Sequence, residues 1–120
     1  MTGAIAITWG AAVRGREAKG LECFQKALAY WDDLTKQGRV HGHREYIKLV
    51  GGGNLGLMVV DGELDELLKL QGEDATRQLL AEAGQITEDL SVEIYVGGTE
   101  ATIQQSVGEY LTALQTVGAI

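Results

Sequence analysis

One stretch limits the possible folds of this chain more than any other: Arg39 to Asp61 reads as a long β-hairpin. Its first arm runs from Arg39 to Val50 and its second from Leu55 to Asp61, with Gly51-Gly52-Gly53-Asn54 between them. Glycine and asparagine reach positive φ at little steric cost, so the chain can reverse there. The first arm also carries most of the side chains suited to chemistry: His41, His43, Arg44, Glu45 and Tyr46. Whatever flanks the hairpin has to accommodate an antiparallel pair.

Ahead of it, Ala4 to Val13 alternates with period two, which predicts a strand. Ile5, Ile7, Trp9, Ala11 and Val13 make a bulky face, and Ala4, Ala6, Thr8, Gly10 and Ala12 a small one. Glu17 to Gln37 then carries Leu21, Phe24, Ala27, Leu28, Trp31 and Leu34 at helical spacing. Glu22/Lys26 and Asp32/Lys36 have the acid-first order that favours i, i+4 pairing, and Gly38 stops the helix.

After the hairpin, Glu63 to Gln71 predicts a short helix, broken at Gly72 and resumed from Glu73 to Gly84. Thr87 to Val96 alternates again, with Leu90, Val92, Ile94 and Val96 set against Asp89, Ser91, Glu93 and Tyr95. Gly97-Gly98 turns the chain, and Thr99 can cap a last helix striped with Ile103, Val107, Tyr110, Leu111, Leu114 and Val117. The order is β-α-β-β-α-β-α. Right-handed crossovers then favour an α+β fold, a four-stranded antiparallel split β-α-β sheet with helices on one face and an extra C-terminal helix.

At 120 residues and 45% hydrophobic, the chain forms a single domain over residues 1–120. Seventeen acidic against ten basic residues leave a net charge of −7, which repels phosphate backbones and argues against nucleic acid. No apolar run approaches the ~20 residues that span a bilayer, and Met1-Thr-Gly-Ala-Ile lacks the basic start of a signal peptide. A single cysteine, Cys23, forms no internal disulfide, in keeping with a reducing compartment. The expectation is a soluble, cytoplasmic protein with no membrane partner.

Helices on one face leave the other face uncovered. That face would include Ala4, Ala6, Thr8 and Gly10 together with Met58 and Val60, an apolar patch larger than monomers usually expose. Two copies meeting face to face would bury both patches and enclose a cavity. With Ile5-Ala-Ile-Thr-Trp9, the helix from Leu21 to Leu34, the paired hairpin and Val92-Glu-Ile-Tyr-Val96 in that order, the chain resembles the dimeric α/β-barrel proteins of ferredoxin-like topology. That group includes cofactor-independent monooxygenases, haem-degrading enzymes, dehalogenase-like and stress-responsive proteins, and many of unknown function. The resemblance implies fold and homodimerisation rather than a particular chemistry.

Two sets of residues are candidates. His41 and His43 share a side of their strand with Glu45, as a proton relay or facial metal site would require. The same parity also holds Ile47 and Leu49, so the histidines equally read as a polar rim on the helix-facing side. On the opposite parity Arg44 and Tyr46 would face the enclosed cavity, joined by Thr8, Glu93 and Tyr95. These five would line a pocket for a small aromatic or acidic ligand; alternatively, Arg44 and Glu93 form a salt bridge that fixes dimer register.

Arg14, Gly15, Arg16 and Lys19 lack the spacing of a phosphate loop, and Gly51-Gly52-Gly53 lacks the strand-then-helix setting of a dinucleotide fingerprint, so no cofactor is implied. Cys23 reads as an inert thiol, Trp9 and Trp31 as core. Two functions follow: a homodimeric small-ligand-binding protein, or a cofactor-independent, monooxygenase-like enzyme. In the second, His41 or His43 would be the general base, and Arg44 or Tyr46 would polarise an oxygen. An interaction module using the acidic helices is a third.

Overall fold

In the computed structural model, which describes residues 1–120, the first alternating stretch forms β1 (Thr2–Trp9) at the centre of a four-stranded sheet. The hairpin supplies β2 (Gly42–Ile47) and β3 (Gly56–Glu63), and β4 (Ser91–Val96) flanks β1 on its other side. The order is β2-β3-β1-β4, antiparallel throughout. Between strands run α1 (Glu17–Lys36), α2 (Leu64–Gln71) and α3 (Asp74–Ile86), and α4 (Glu100–Thr116) follows β4. This is the predicted β-α-β-β-α-β frame with one added helix.

Register decides which side chains meet. Ile5 lies opposite Val60 and Ile94, and Ile7 opposite Met58 and Val92. Directly opposed residues share a face, so these six form one apolar surface, onto which Trp31 and Leu34 of α1 and Leu67 and Leu70 of α2 pack. Ile5, Val60, Trp31, Leu67 and Leu70 are fully buried, each worth about 1.5–3 kcal/mol relative to exposure. Met58 and Val60 thus belong to the core and not to the bare face expected for them. Leu57 and Val59 take that place, beside Ala6 and Thr8.

The strands are shorter than the alternation suggests. β1 ends at Trp9, although Gly10 N–H still donates to Glu88 O at 2.8 Å and Ala12 bridges Thr87. β4 begins only at Ser91, because Asp89 adopts φ +55° and turns the chain. Hairpin pairing stops at Ile47, apart from Lys48 N–H donating to Leu55 O at 2.7 Å, and leaves Leu49 and Val50 almost wholly exposed at the tip. At the far end of the β1–β3 ladder Trp9 faces Gly56, and its indole lies over the glycine backbone. A Cβ on Gly56 would stand 2.6 Å from Trp9 Cε2, so no larger residue fits beneath the ring without displacing it.

The stripe of α1 is buried towards its C-terminal half, at Trp31 and Leu34, whereas Leu21 near its start remains exposed. Its charged residues choose tertiary partners over the expected i, i+4 pairs. Lys26 reaches Glu82 of α3 at 2.7 Å, and Asp32 reaches His43 of β2. Arg39 joins Glu66 at 2.7 Å and also Glu73, tying the start of the hairpin to α2 and to the residue that precedes α3. Tyr30 and the buried Thr76 share a hydroxyl hydrogen bond of 2.6 Å between α1 and α3.

α4 departs from this pattern. Its start is held by Thr99, whose side chain accepts from Thr102 N–H, and by the Thr2 and Thr102 hydroxyls 2.7 Å apart. Beyond Thr102 nothing is buried: Ile103, Val107, Tyr110, Leu111 and Val117 are 45–76% exposed. The helix projects, and the Cα radius of gyration is 16.7 Å, against about 14 Å for a compact chain of this length. The apolar stripe forms as expected, but no part of its own chain covers it.

Candidate functional site

The face of the sheet turned away from α1, α2 and α3 is built by the alternate residues of all four strands. β1 contributes Ala4, Ala6 and Thr8, β3 Leu57, Val59 and Asp61, β2 Arg44 and Tyr46, and β4 Ser91, Glu93 and Tyr95. None of these residues is buried. The centre of the face is apolar and the edges are polar, because the inner strands carry Ala, Leu and Val where the outer ones carry Arg, Tyr and Glu.

The five residues expected to line a cavity therefore share a face but not a cluster. Arg44 and Tyr46 stand on one edge strand and Glu93 and Tyr95 on the other, three ladder spacings or roughly 14 Å apart. Within one chain Arg44 cannot pair with Glu93. Instead Arg44 reaches Asp61 at 3.3 Å, and the Tyr95 hydroxyl donates to Glu93 at 2.9 Å. The Glu93 carboxylate holds the Tyr95 phenol above its ordinary pKa. Asp61, read from sequence only as the close of the hairpin, is the partner that fixes Arg44.

The two histidines separate. His43 lies on the helix-facing side, its side chain only 12% exposed. Its Nε2 donates to Asp32 Oδ1 at 2.6 Å and its Nδ1 donates to Glu45. A neutral imidazole offers one N–H, so two carboxylates at the two nitrogens call for the doubly protonated ring. Burial pulls the pKa of His43 down, but hydrogen bonds to Asp32 and Glu45 outweigh it and leave the pKa raised. Both ring nitrogens are thus engaged by carboxylates.

His41 is exposed and sits 3.5 Å from Glu63. With Arg44 it lines a polar crevice of about 230 Å³ at the end of the sheet, shared with Thr2, Asp61, Gly97 and Thr99. No group of three or more His, Cys, Asp or Glu side chains is disposed to hold a metal ion.

A second space lies on the helical side, between α1, α3 and the sheet. It measures about 70 Å³ and is lined almost entirely by apolar side chains, among them Trp9, Phe24, Trp31, Met58 and Leu90. Trp31 is fully buried, yet its indole N–H has no acceptor. A buried unpaired donor is rare and costs about 1–3 kcal/mol. Cys23 also lines this space, and burial together with the Glu82 carboxylate holds its thiol above the usual range, disfavouring the thiolate. Sequence spacing placed Phe24, Ala27 and Trp31 on one helical face. Nothing in it marked a gap there, because a gap depends on how α3 seats against α1.

No family model matches the sequence, and no curated protein matches it. Solved structures do share the fold. A dimeric protein of unknown function and ferredoxin-like fold from Bacteroides fragilis is 12% identical, with 78% of this chain and 94% of that one covered at a TM-score of 0.54. A dimeric ferredoxin-like protein of unknown function from Thermobifida fusca is 15% identical, covering 78% and 90% at 0.59. A Deinococcus radiodurans protein with a proposed role as an antibiotic biosynthesis monooxygenase is 10% identical, covering 82% and 94% at 0.56. At such identities the likeness carries the fold, and the chain is ferredoxin-like.

Proposed function

We propose that this ferredoxin-like chain acts as a homodimer that binds a small aromatic or acidic molecule between two sheets packed face to face. The observation that carries this reading is the bare face itself: Ala4, Ala6, Leu57 and Val59 form an apolar centre that no helix covers. Setting two such faces together removes that centre from water, and a half-turn about an axis along the strands lays the β2 edge of one copy over the β4 edge of the other. Arg44 and Tyr46 of one subunit would then approach Glu93 and Tyr95 of its partner, with Thr8 on the central strand. The Bacteroides and Thermobifida proteins of the same fold are dimeric, which supports homodimerisation. A guanidinium beside phenol rings suits a carboxylate or phenolate attached to a flat ring.

The test is sedimentation followed by ligand screening. The wild-type chain should sediment as a dimer at micromolar concentration, and Val59→Glu should dissociate it without unfolding it. Aromatic acids should raise the melting temperature, since a ligand at a hundred times its Kd adds about 2.7 kcal/mol to the native state. A monomeric wild-type chain defeats the reading, as does a dimer that no aromatic acid stabilises.

A second reading, an enzyme acting on an aromatic or polyketide-like substrate, is favoured by the crevice that brings His41 beside Arg44. His41 would take the proton and Arg44 would polarise the adjoining oxygen. His43, engaged at both nitrogens, is the weaker candidate for the base. The Deinococcus neighbour, for which a monooxygenase role is proposed, shares the fold such an enzyme would use. Oxygen uptake with a panel of polycyclic phenols, lost in His41→Ala and retained in His43→Gln, is the corresponding result.

A further inference from the structure

α4 is an amphipathic helix standing clear of the body that bears it, and the spacing of its apolar residues is specific. Ile103, Val107, Tyr110, Leu114 and Val117 follow one another at intervals of four, three, four and three. That spacing suits the seam of a helix pair, in which each side chain would insert between four residues of a facing helix. The positions that border such a seam and select its partner through charge are Gln104, Ser106, Leu111 and Ala113. None of them is charged.

We infer that α4 pairs along this seam with the α4 of a second copy of the chain. The charge distribution favours that occupant. The chain carries a net charge of −7, so two copies repel wherever their acidic surfaces meet. Between Ala101 and Val117 the only ionisable side chains are Glu109 and the phenol of Tyr110. Glu109 falls on the side away from the seam. A different protein helix would be chosen by charges beside the seam, which are absent. A membrane surface is disfavoured because α4 has no Lys or Arg to meet anionic headgroups.

Two heptads are too few to hold two free chains together. The inference therefore rests on the sheet-face dimer, which holds the second helix near the first so that pairing becomes intramolecular. α4 is continuous with that interface, since it leaves β4 through Gly97 and Gly98, directly after Tyr95 and Val96. The helix pair then acts as a clasp on the dimer.

The experiment uses the full-length chain and three variants. Val107→Glu with Leu114→Glu places charges on the seam at positions outside the core, and its circular dichroism should match wild type. Its dimer dissociation constant should rise by at least about tenfold. In a Cys23→Ala background, Tyr110→Cys near the middle of the seam should form an intermolecular disulfide under mild oxidation, whether the helices run parallel or antiparallel. An unchanged dissociation constant, or no disulfide while Val59→Glu still dissociates the dimer, overturns the clasp and leaves the sheet-face reading standing. A wild-type chain that is monomeric throughout overturns both.

Discussion

His43 provides the sharpest test of the electrostatics. Replacing it with glutamine removes an imidazole held between two carboxylates, from Asp32 on α1 and Glu45 on β2, and so loosens the edge strand from the helix beside it. A hydrogen bond to a charged partner contributes about 1.5–3 kcal/mol when sheltered. Here His43 and Glu45 are only 12% and 19% exposed, whereas Asp32 is 58% exposed. Solvent reduces the outer bond to well under ~1 kcal/mol, so the clamp is worth about 2 kcal/mol in all. Because the folded-state pKa of His43 is raised above the ordinary 6.5, that contribution is fully present below about pH 6.5 and is lost as the pH rises through the raised value.

Urea midpoints of wild type and His43→Gln, measured from about pH 5.5 to about pH 8.5, should therefore differ most at the acid end and converge at the alkaline end. The acid-end gap corresponds to a melting difference of roughly 5–10 °C for a domain of this size. Parallel curves for the two proteins would refute the clamp. So would nitrogen chemical shifts showing one imidazole nitrogen unprotonated at about pH 5.5.

Other substitutions probe the core and its links. Gly56→Ala should lower stability by about 1–3 kcal/mol through overpacking against Trp9, with a shift in tryptophan emission as the ring moves. Leu67→Ala, at a fully buried position, should cost about 2–5 kcal/mol in urea denaturation. Trp31→Phe removes the unpaired indole N–H along with some apolar area, and the two effects offset each other to within about 1 kcal/mol; a loss as large as that of Leu67→Ala would mean that the N–H has an acceptor. Arg39→Gln should reduce stability at low salt more than at high salt, because Glu66 and Glu73 lose a partner that is partly open to solvent.

What could be read from sequence, and what could not, divides along physical lines. In β1 isoleucine alternates with alanine, so its two faces declare themselves. In β3 Leu57, Met58, Val59 and Val60 are all apolar, which leaves parity undefined until Ile7 is set opposite Met58. Alternation runs past the true ends of β1 and β4, continuing beyond Gly10 and beginning before Asp89, whose positive φ no pattern of polarity encodes. The open-face residues Thr8, Arg44, Tyr46, Glu93 and Tyr95 were identifiable by parity alone. Their pairing was not, since strand order decides that Arg44 lies beside Asp61 and far from Glu93. Likewise the stripe on α4 announced that something covers it, but amphipathicity does not say which molecule does.

The indole resting over Gly56 gives the sheet a gauge for its own alignment. Sliding the β1–β3 ladder by one residue would turn the core outward. Sliding it by two would bring Asn54 or Met58 beneath the ring in place of a residue without a side chain. Neither leaves room for Trp9. Only the native alignment sets the indole over a residue without a side chain, so a hairpin paired out of step forfeits that packing.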